Sequence, residues 1–453
     1  MKIYDSSRCE RVDFEPIEEG KVSMYICGPT VYDHAHLGHG RSAVAFDVIR
    51  KYLEYKYGEG NVTFVSNYTD IDDKMINRAR EDGISVSELA AKIIPSVEED
   101  YASLGVAKPE IQPRATDHIA EILEMVEMLE DKGYTYVLDD GVYFDIRKFE
   151  DYGKFSKQIL EDLKMGARVS VNEAKKNPYD FVLWKLRKDG EDDFWASKWG
   201  DGRPGWHIEC SAMTWKHLGE KFDIHGGGLD LKFPHHECEV AQSKACFGSD
   251  SFAKYWLHNG FIQVDDEKMS KSLGNFFTLK DIFKKYDPQV VRMMFLQTHY
   301  RNPINFSDEL LEQAKAGLAR IHDLVRRLRK IESGEFDDFA GYRKEFEKAL
   351  DNDFDTSGAL AAVFDMVKVV NTKIADVDVD KVLHVFEDMD KVLGVIFPSD
   401  SGDVDVDVEA LIVEREQARA NKDFATSDRI RDELKTKGIE LEDGPNGTIW
   451  KKI

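Results

Sequence analysis

The sequence predicts an α/β fold: a parallel sheet with helices on both faces, split by an insertion and followed by a helical bundle and a small terminal unit. Three observations predict it. A strand–helix–strand pattern runs over 22–66. A strand signal returns at Phe222 after a long stretch of different character. Beyond Ser307, Leu311, Ala314, Leu318, Ile321, Val325 and Leu328 recur at helical spacing and form one apolar seam.

Val22, Met24 and Ile26 alternate with Ser23, Tyr25 and Cys27, which reads as a strand. A loop over 28–39 follows. Ala43, Phe46, Ile49 and Leu53 fall at helical spacing, and Gly58 ends that helix. A second strand spans 61–66. Ligands in open α/β sheets bind beyond the carboxyl ends of the strands, where 27–39 and 67–73 lie. From 115 to 205, helical stretches alternate with short aromatic strands at 134–138 and 142–144, which reads as an insertion. Residues 222–225 form a strand that runs into Gly226, Gly227 and Gly228. A helix opens at Pro234 and stops before Gly248. Stretches 354–370 and 382–396 continue the bundle. Residues 399–407 form an acidic linker. The last unit carries Arg415, Arg419, Lys422, Arg429, Arg431, Lys435 and Lys437 in one helical stretch.

A chain of 453 residues has room for about three domains. With 42% hydrophobic residues it buries a core, which excludes global disorder. The net charge of −24 leaves a nucleic-acid partner open, because phosphate binding needs only a local basic face. Five scattered cysteines, Cys9, Cys27, Cys210, Cys238 and Cys246, argue for a reducing compartment over a disulfide scaffold. The first residues lack an apolar signal core, and no run approaches the ~20 apolar residues that cross a bilayer. A cytoplasmic protein with no membrane partner is the expectation.

Four constellations carry chemistry. Cys27 at a strand end, Cys210, and His235 with Glu239 at i, i+4 supply two thiolates, an imidazole and a carboxylate, a tetrahedral zinc set. No Cys-x-x-Cys clamp accompanies them, so both cysteines also suit ordinary buried positions. Cys238 competes as the soft ligand, and His236 competes with His235. Second, His36 and His39 flank Gly38 at a helix start, where backbone N–H groups, the dipole and the imidazoles suit a phosphate. A polar capping loop is the bland alternative. Third, 268–272 (Lys-Met-Ser-Lys-Ser) puts Lys268 and Lys271 on a loop able to close over a polyphosphate, or on a plain exposed turn. Fourth, His225, three glycines and Asp230 let backbone approach a flat ligand, with the acid on ribose hydroxyls. Hydrolases use a similar string as an oxyanion loop, but the Gly-x-Ser-x-Gly elbow they need is absent.

These strings occur in one order: 27–33 (Cys-Gly-Pro-Thr-Val-Tyr-Asp), 36–39 (His-Leu-Gly-His), 67–74 (Asn-Tyr-Thr-Asp-Ile-Asp-Asp-Lys), 205–213 (Gly-Trp-His-Ile-Glu-Cys-Ser-Ala-Met), 233–237 (Phe-Pro-His-His-Glu) and 268–272. Together they closely resemble the cysteinyl-tRNA synthetases, a family of class I aminoacyl-tRNA synthetases. Residues 36–39 match the HIGH signature with Leu37 for Ile, a volume-conserving exchange, and 268–272 match KMSKS at every position. The resemblance continues through 299–303, 353–356 and 422–448, nearly the whole chain.

The resemblance implies a Rossmann-type parallel-sheet catalytic domain (1–115 and 205–308, the second part with the KMSKS region) and an inserted connective domain (116–204). An α-helical bundle that binds tRNA (309–398), the linker (399–407) and a small C-terminal anticodon-binding domain (408–453) follow. It implies ATP-dependent attachment of L-cysteine to tRNA(Cys) through cysteinyl-adenylate, with Mg²⁺ accompanying ATP. One Zn²⁺ per chain, on Cys27, Cys210, His235 and Glu239, selects the substrate thiolate. His36, Gly38 and His39 hold ATP phosphates, Lys268 and Lys271 the pyrophosphate side, and Gly228 and Asp230 the adenosine. Gly28, Thr30, Thr69 and Trp206 line the cysteine pocket. The basic stretch 415–437 and Trp450 contact tRNA. Cys238 departs from the small or polar residue usual in the family.

Three rivals remain at this level. A ligase joining cysteine to a small amine would share everything but the C-terminal third. A zinc hydrolase on His235, His236 and Glu239 leaves the lysine loop unexplained. A non-catalytic RNA-binding relative has no use for an ATP-closing loop.

Overall fold

The computed structural model describes residues 1–158, 174–188, 191–264, 267–268, 277–399, 404–436, 439–444 and 447–452. They fall into two compact units, Met1–Phe397 and Pro398–Ile453.

In the first unit a short antiparallel hairpin (β1, Lys2–Asp5; β2, Glu10–Asp13) precedes β3 (Val22–Ile26). Helix α1 (Leu37–Tyr57) and β4 (Val62–Ser66) complete the expected βαβ unit, with β3 and β4 parallel. Two helices follow, α2 (Asp73–Asp82) and α3 (Val86–Ser103). Next comes a helix, Ile119–Asp131, and a four-stranded antiparallel sheet of β5 (Thr135–Leu138), β6 (Gly141–Phe144), β7 (Phe181–Leu186) and β8 (Gly202–Pro204). This sheet interrupts a parallel one, because β9 (Lys221–Gly228) returns beside β3 and β10 (Phe252–Asn259) beside β9. The parallel order is β10-β9-β3-β4. Asp73, at the start of α2, forms ion pairs with Lys185 of β7 and Arg203 of β8, which fasten the insertion to the sheet domain.

Two details differ from the sequence reading. The three glycines belong to β9 rather than to a loop after it. A Cβ on Gly226 would lie 2.7 Å from the Phe46 ring and 2.8 Å from Leu257 O, so glycine lets α1 press on the strand. The helix expected from Pro234 runs over Glu237–Phe247, after one irregular turn at Lys232–His236 that is extended at Phe233.

Beyond β10, β11 (Ile262–Val264) pairs with β12 (Glu267–Lys268) and with β13 (Ile304–Phe306). The lysine string 268–272 therefore begins on a hairpin strand. The helix Asp308–Leu328 follows β13, and all six seam residues are buried. Thr356–Thr372 and Val379–Leu393 are the expected bundle helices, and Ala340–Leu350 joins them.

The second unit has helices Val404–Ala420 and Phe424–Thr436 and a hairpin, Ile439–Gly444 with Gly447–Lys452. The single basic helix over 415–437 is corrected to two helices up to Thr436, and Lys437 lies outside the described residues. Lys422 has φ +60°, which ends the first. Asp423 then accepts Thr426 N–H at 3.2 Å and starts the second. The first helix begins at Val404, inside the stretch that reads as linker, where acidic residues suit a helix start. Among the described residues no helix is long and apolar enough to cross a membrane.

Candidate active site and metal centre

A cavity of about 530 Å³ opens at the carboxyl ends of the parallel strands. It gathers residues from distant parts of the chain: Cys27, Gly28, Thr30, His36, Gly38, His39, Thr69, Trp206, Cys210, Gly228, Asp230 and His235 all line it. Glu239 lies behind them, fully buried. Lys268 sits on β12, with its side chain outside the described residues, and Lys271 lies outside them altogether.

Chain continuation fixes the metal-type ligands. Cys27 follows β3 directly. Cys210 lies one turn after Trp206 on the helix Trp206–Leu218, so both face one way. Cys27 Sγ is 3.6 Å from Cys210 Sγ, 3.6 Å from His235 Nε2 and 3.5 Å from Glu239 Oε1. His235 Nε2 is 2.9 Å from Glu239 Oε1. Zinc bonds of ~2.3 Å to sulfur and ~2.0–2.2 Å to nitrogen and oxygen set tetrahedral ligands roughly 3.4–3.8 Å apart. Three of the four separations match and the fourth is tighter, so the residues present fit zinc.

A second set, Cys27, His225, His236 and Glu239, also converges within 4.8 Å. It has one thiol where the first has two. His225 and His236 are absent from the cavity wall, whereas Cys210 and His235 line it. The first set is the softer, and it opens to a substrate. Cys238 belongs to neither. Its Sγ lies 3.4 Å from Tyr152 Oη, in the core that the insertion shares with this helix.

Electrostatics split the cluster. The Cys210 thiol is pushed down to about 6 by its contact with Cys27, against the effect of burial. Burial and the Cys210 sulfur push Cys27 well up. Burial alone would raise Glu239, but the imidazoles of His225 and His235 outweigh it and hold the carboxyl well below its usual range. His235 rises to about 10, because Glu239 and Cys210 outweigh burial. Neighbours lock the ligands in place. His207 Nδ1 lies 2.9 Å from His235 Nδ1, and His225 spans Tyr25 O (3.1 Å) and Glu239 Oε2 (3.0 Å). Trp206, 39% exposed, stacks on His235 at 4.4 Å. It caps the cluster rather than anchoring the core.

On the lining of the same cavity, α1 starts with a reciprocal cap. His36 Nδ1 accepts His39 N–H at 3.2 Å, and His39 Nδ1 lies 3.4 Å from the His36 backbone nitrogen. With both Nδ1 atoms accepting, the neutral rings carry their proton on Nε2. The rings stack 3.6 Å apart at the positive end of a 21-residue helix. Donors and dipole together suit a polyphosphate. Gly28 serves contact as well as lining: a Cβ there would fall 1.7 Å from Asn67 O, and its N–H donates to Asn67 Oδ1 at 2.9 Å.

Sequence reasoning missed His225 and His207 as supports of the cluster. His225 stood in the glycine string and drew attention to the glycines. Nothing in the spacing links it to Cys27 or Glu239.

Comparison with known proteins agrees with this geometry. Residues 13–316 match the model described as tRNA synthetases class I (C) catalytic domain, 345–397 a DALR domain, and 401–450 a cysteinyl-tRNA ligase anticodon binding domain. The chain is 47% identical to a cysteine–tRNA ligase of Clostridioides difficile, with 100% of each chain covered. It is 48% identical to that of Thermococcus gammatolerans, covering 100% of this chain and 99% of the relative. A methionyl-tRNA synthetase of Mycobacterium tuberculosis, solved with methionyl-adenylate, shares the fold at a TM-score of 0.62 and 15% identity, over 82% of this chain and 90% of that one. On matches of this extent, the chain belongs to the cysteine–tRNA ligases, a family of class I aminoacyl-tRNA synthetases.

Proposed function

We propose that this ligase makes cysteinyl-adenylate in the cavity beside the start of α1 and selects cysteine through zinc held by Cys27, Cys210, His235 and Glu239. The observation that carries the reading is the convergence of two thiols, an imidazole and a carboxylate within 4.8 Å, with Cys27, Cys210 and His235 lining the same cavity as His36 and His39. Cysteine must be told from serine, which is smaller and nearly the same shape. Apolar contacts discriminate so small a change by only ~1–3 kcal/mol. Zinc, when bound, supplies a soft Lewis-acidic centre that takes a thiolate in preference to a hydroxyl. Gly28, Thr30 and Thr69 line the cavity and Trp206 stacks on His235, which supports placing the amino acid beside them.

In the first step the cysteine carboxylate attacks the α-phosphorus of ATP, the bond to the bridging oxygen breaks, and pyrophosphate leaves; Mg²⁺ accompanying ATP would neutralise phosphate charge. His36 and His39 donate from Nε2 to phosphate oxygens, and the α1 dipole adds to them. Lys268 and Lys271 take the pyrophosphate side on their motif, and Gly228 and Asp230 take the adenosine. Catalysis is positioning plus charge neutralisation. In the second step a hydroxyl of the tRNA 3′-terminal adenosine attacks the acyl carbon and AMP leaves. The bundle 309–398 and the unit 408–453 bind the tRNA body and anticodon, 116–204 is the connective insertion between the catalytic parts 1–115 and 205–308, and 399–407 is the linker. The cytoplasm is the compartment assigned.

Cysteine-dependent ATP–pyrophosphate exchange, followed by charging of tRNA(Cys), tests this reading. Both activities are expected. Exchange without charging would point to a ligase acting on a small amine, and no exchange would refute the reading.

A further inference from the structure

We propose that Lys74 forms a phosphate-binding site for the single-stranded 3′ end of tRNA at the mouth of the cavity, an inference that rests on the ligase reading above. Lys74 lies in the first turn of α2 and lines the cavity, yet it is exposed. Its ammonium is 5.4 Å from the Tyr32 ring centroid, a cation–π contact that holds the side chain at the rim. Of the two acids before it, Asp72 feels the Lys74 charge without forming an ion pair with it, and Asp73 is engaged elsewhere. Asp72 Oδ1 accepts Met75 N–H at 2.7 Å, and Asp73 pairs with Lys185 and Arg203.

The other lysine and arginine residues on the described cavity wall are neutralised. Arg50 pairs with Glu54 and Glu110, and Lys108 pairs with Glu98. Among the described residues, Lys74 makes no ion pair. That leaves one rim cation available to an incoming anion. A chain with net charge −24 repels RNA at long range, so capture of a phosphodiester depends on such local charge. Of the three substrates, cysteine belongs at the cluster and ATP at the start of α1. Only tRNA enters with the rest of its charge trailing through the mouth into solvent.

The test compares wild type, Lys74→Gln and Lys74→Arg between about 50 and 200 mM salt, with a tRNA(Cys) transcript and a transcript lacking its last four nucleotides. In Lys74→Gln, KM for full-length tRNA rises roughly tenfold, as the loss of one charge-assisted contact predicts. The slope of log affinity against log salt falls in magnitude by about 0.7, the value for one single-strand phosphate. Lys74→Arg restores both. Exchange, which needs no tRNA, changes far less than charging. On the shortened transcript, wild type and Lys74→Gln bind alike. Equal losses in exchange and charging would assign Lys74 to ATP and overturn the proposal. An unchanged KM and salt slope would overturn it too, as would a defect that persists on the shortened transcript. Wild-type protein inactive in exchange would instead overturn the ligase reading.

Discussion

Replacing Arg292 by methionine removes the buried cation behind the signature helix. Arg292 is fully buried and donates to Asp47 Oδ2 (2.7 Å), Leu104 O (2.9 Å) and Leu393 O (2.6 Å). It thereby joins α1, the end of α3 and the last bundle helix. Asp47 lies about three turns along α1 from His36. Methionine fills much of the space but leaves the Asp47 carboxylate with only Lys51 Nζ (2.9 Å) and Ala107 N–H (2.8 Å). Stranding one partner of a buried pair costs ~3–5 kcal/mol. At about 2.1 cal/mol/K per residue over the unit Met1–Phe397, the unfolding entropy is roughly 0.8 kcal/mol/K, so Tm falls by about 4–6 °C. Adding Asp47→Leu removes the stranded charge and recovers more than half of the loss. The pH dependence has a definite sign. Burial would raise Asp47, but Arg292 and Lys51 outweigh it and lower it, so its stabilisation is complete above its ordinary value of ~3.9 and is lost as pH falls further. The gap between wild type and variant therefore narrows below about pH 4. Scanning calorimetry reads all three. A Tm loss under about 1 °C in Arg292→Met, or a double variant no more stable than the single one, refutes the reasoning.

Further outcomes follow from the site and the second unit. Cys238→Ser retains its full metal content, read by elemental analysis, because Cys238 faces Tyr152 and the insertion core; loss of one equivalent would place that sulfur on the metal. Zinc loading near neutral pH releases about two protons per chain, from Cys27 and His235, whose folded values are raised while Cys210 is lowered. Affinity therefore climbs with pH, and indicator titration showing no release would contradict the ligand assignment. Phe424 is 63% exposed on the region matched to an anticodon-binding domain. Phe424→Ala weakens charging by ~1–3 kcal/mol of lost base stacking and leaves ATP–pyrophosphate exchange intact; equal charging would exclude stacking there.

Much of the fold was legible in local periodicity. The strand at Val22–Ile26 and the six-residue seam of Asp308–Leu328 appear where their spacing put them. Each depends on one buried face, which a period of 2 or 3.6 records directly. Elements set by tertiary contact were harder to read. The glycines of β9 resemble a loop until the Phe46 ring is seen against them. The break at Lys422 is invisible to a charge pattern that runs straight through it, although Asp423 before Thr426 is a cap signal. The metal ligands come from three separate segments, so spacing alone left Cys27 and Cys210 ambiguous, and resemblance to a family singled them out. His225 shows the limit most plainly. Only the folded sheet brings it to Glu239.

The proposed selection of cysteine depends on a metal that touches the substrate sulfur. Cobalt(II) in place of zinc makes that contact visible, because each thiolate bound to it adds sulfur-to-metal charge-transfer absorption. Adding L-cysteine to the cobalt-loaded ligase is predicted to strengthen the near-ultraviolet band beyond the contribution of Cys27 and Cys210, while L-serine leaves it unchanged. An identical spectrum with either amino acid, in a protein that still charges only cysteine, would contradict it.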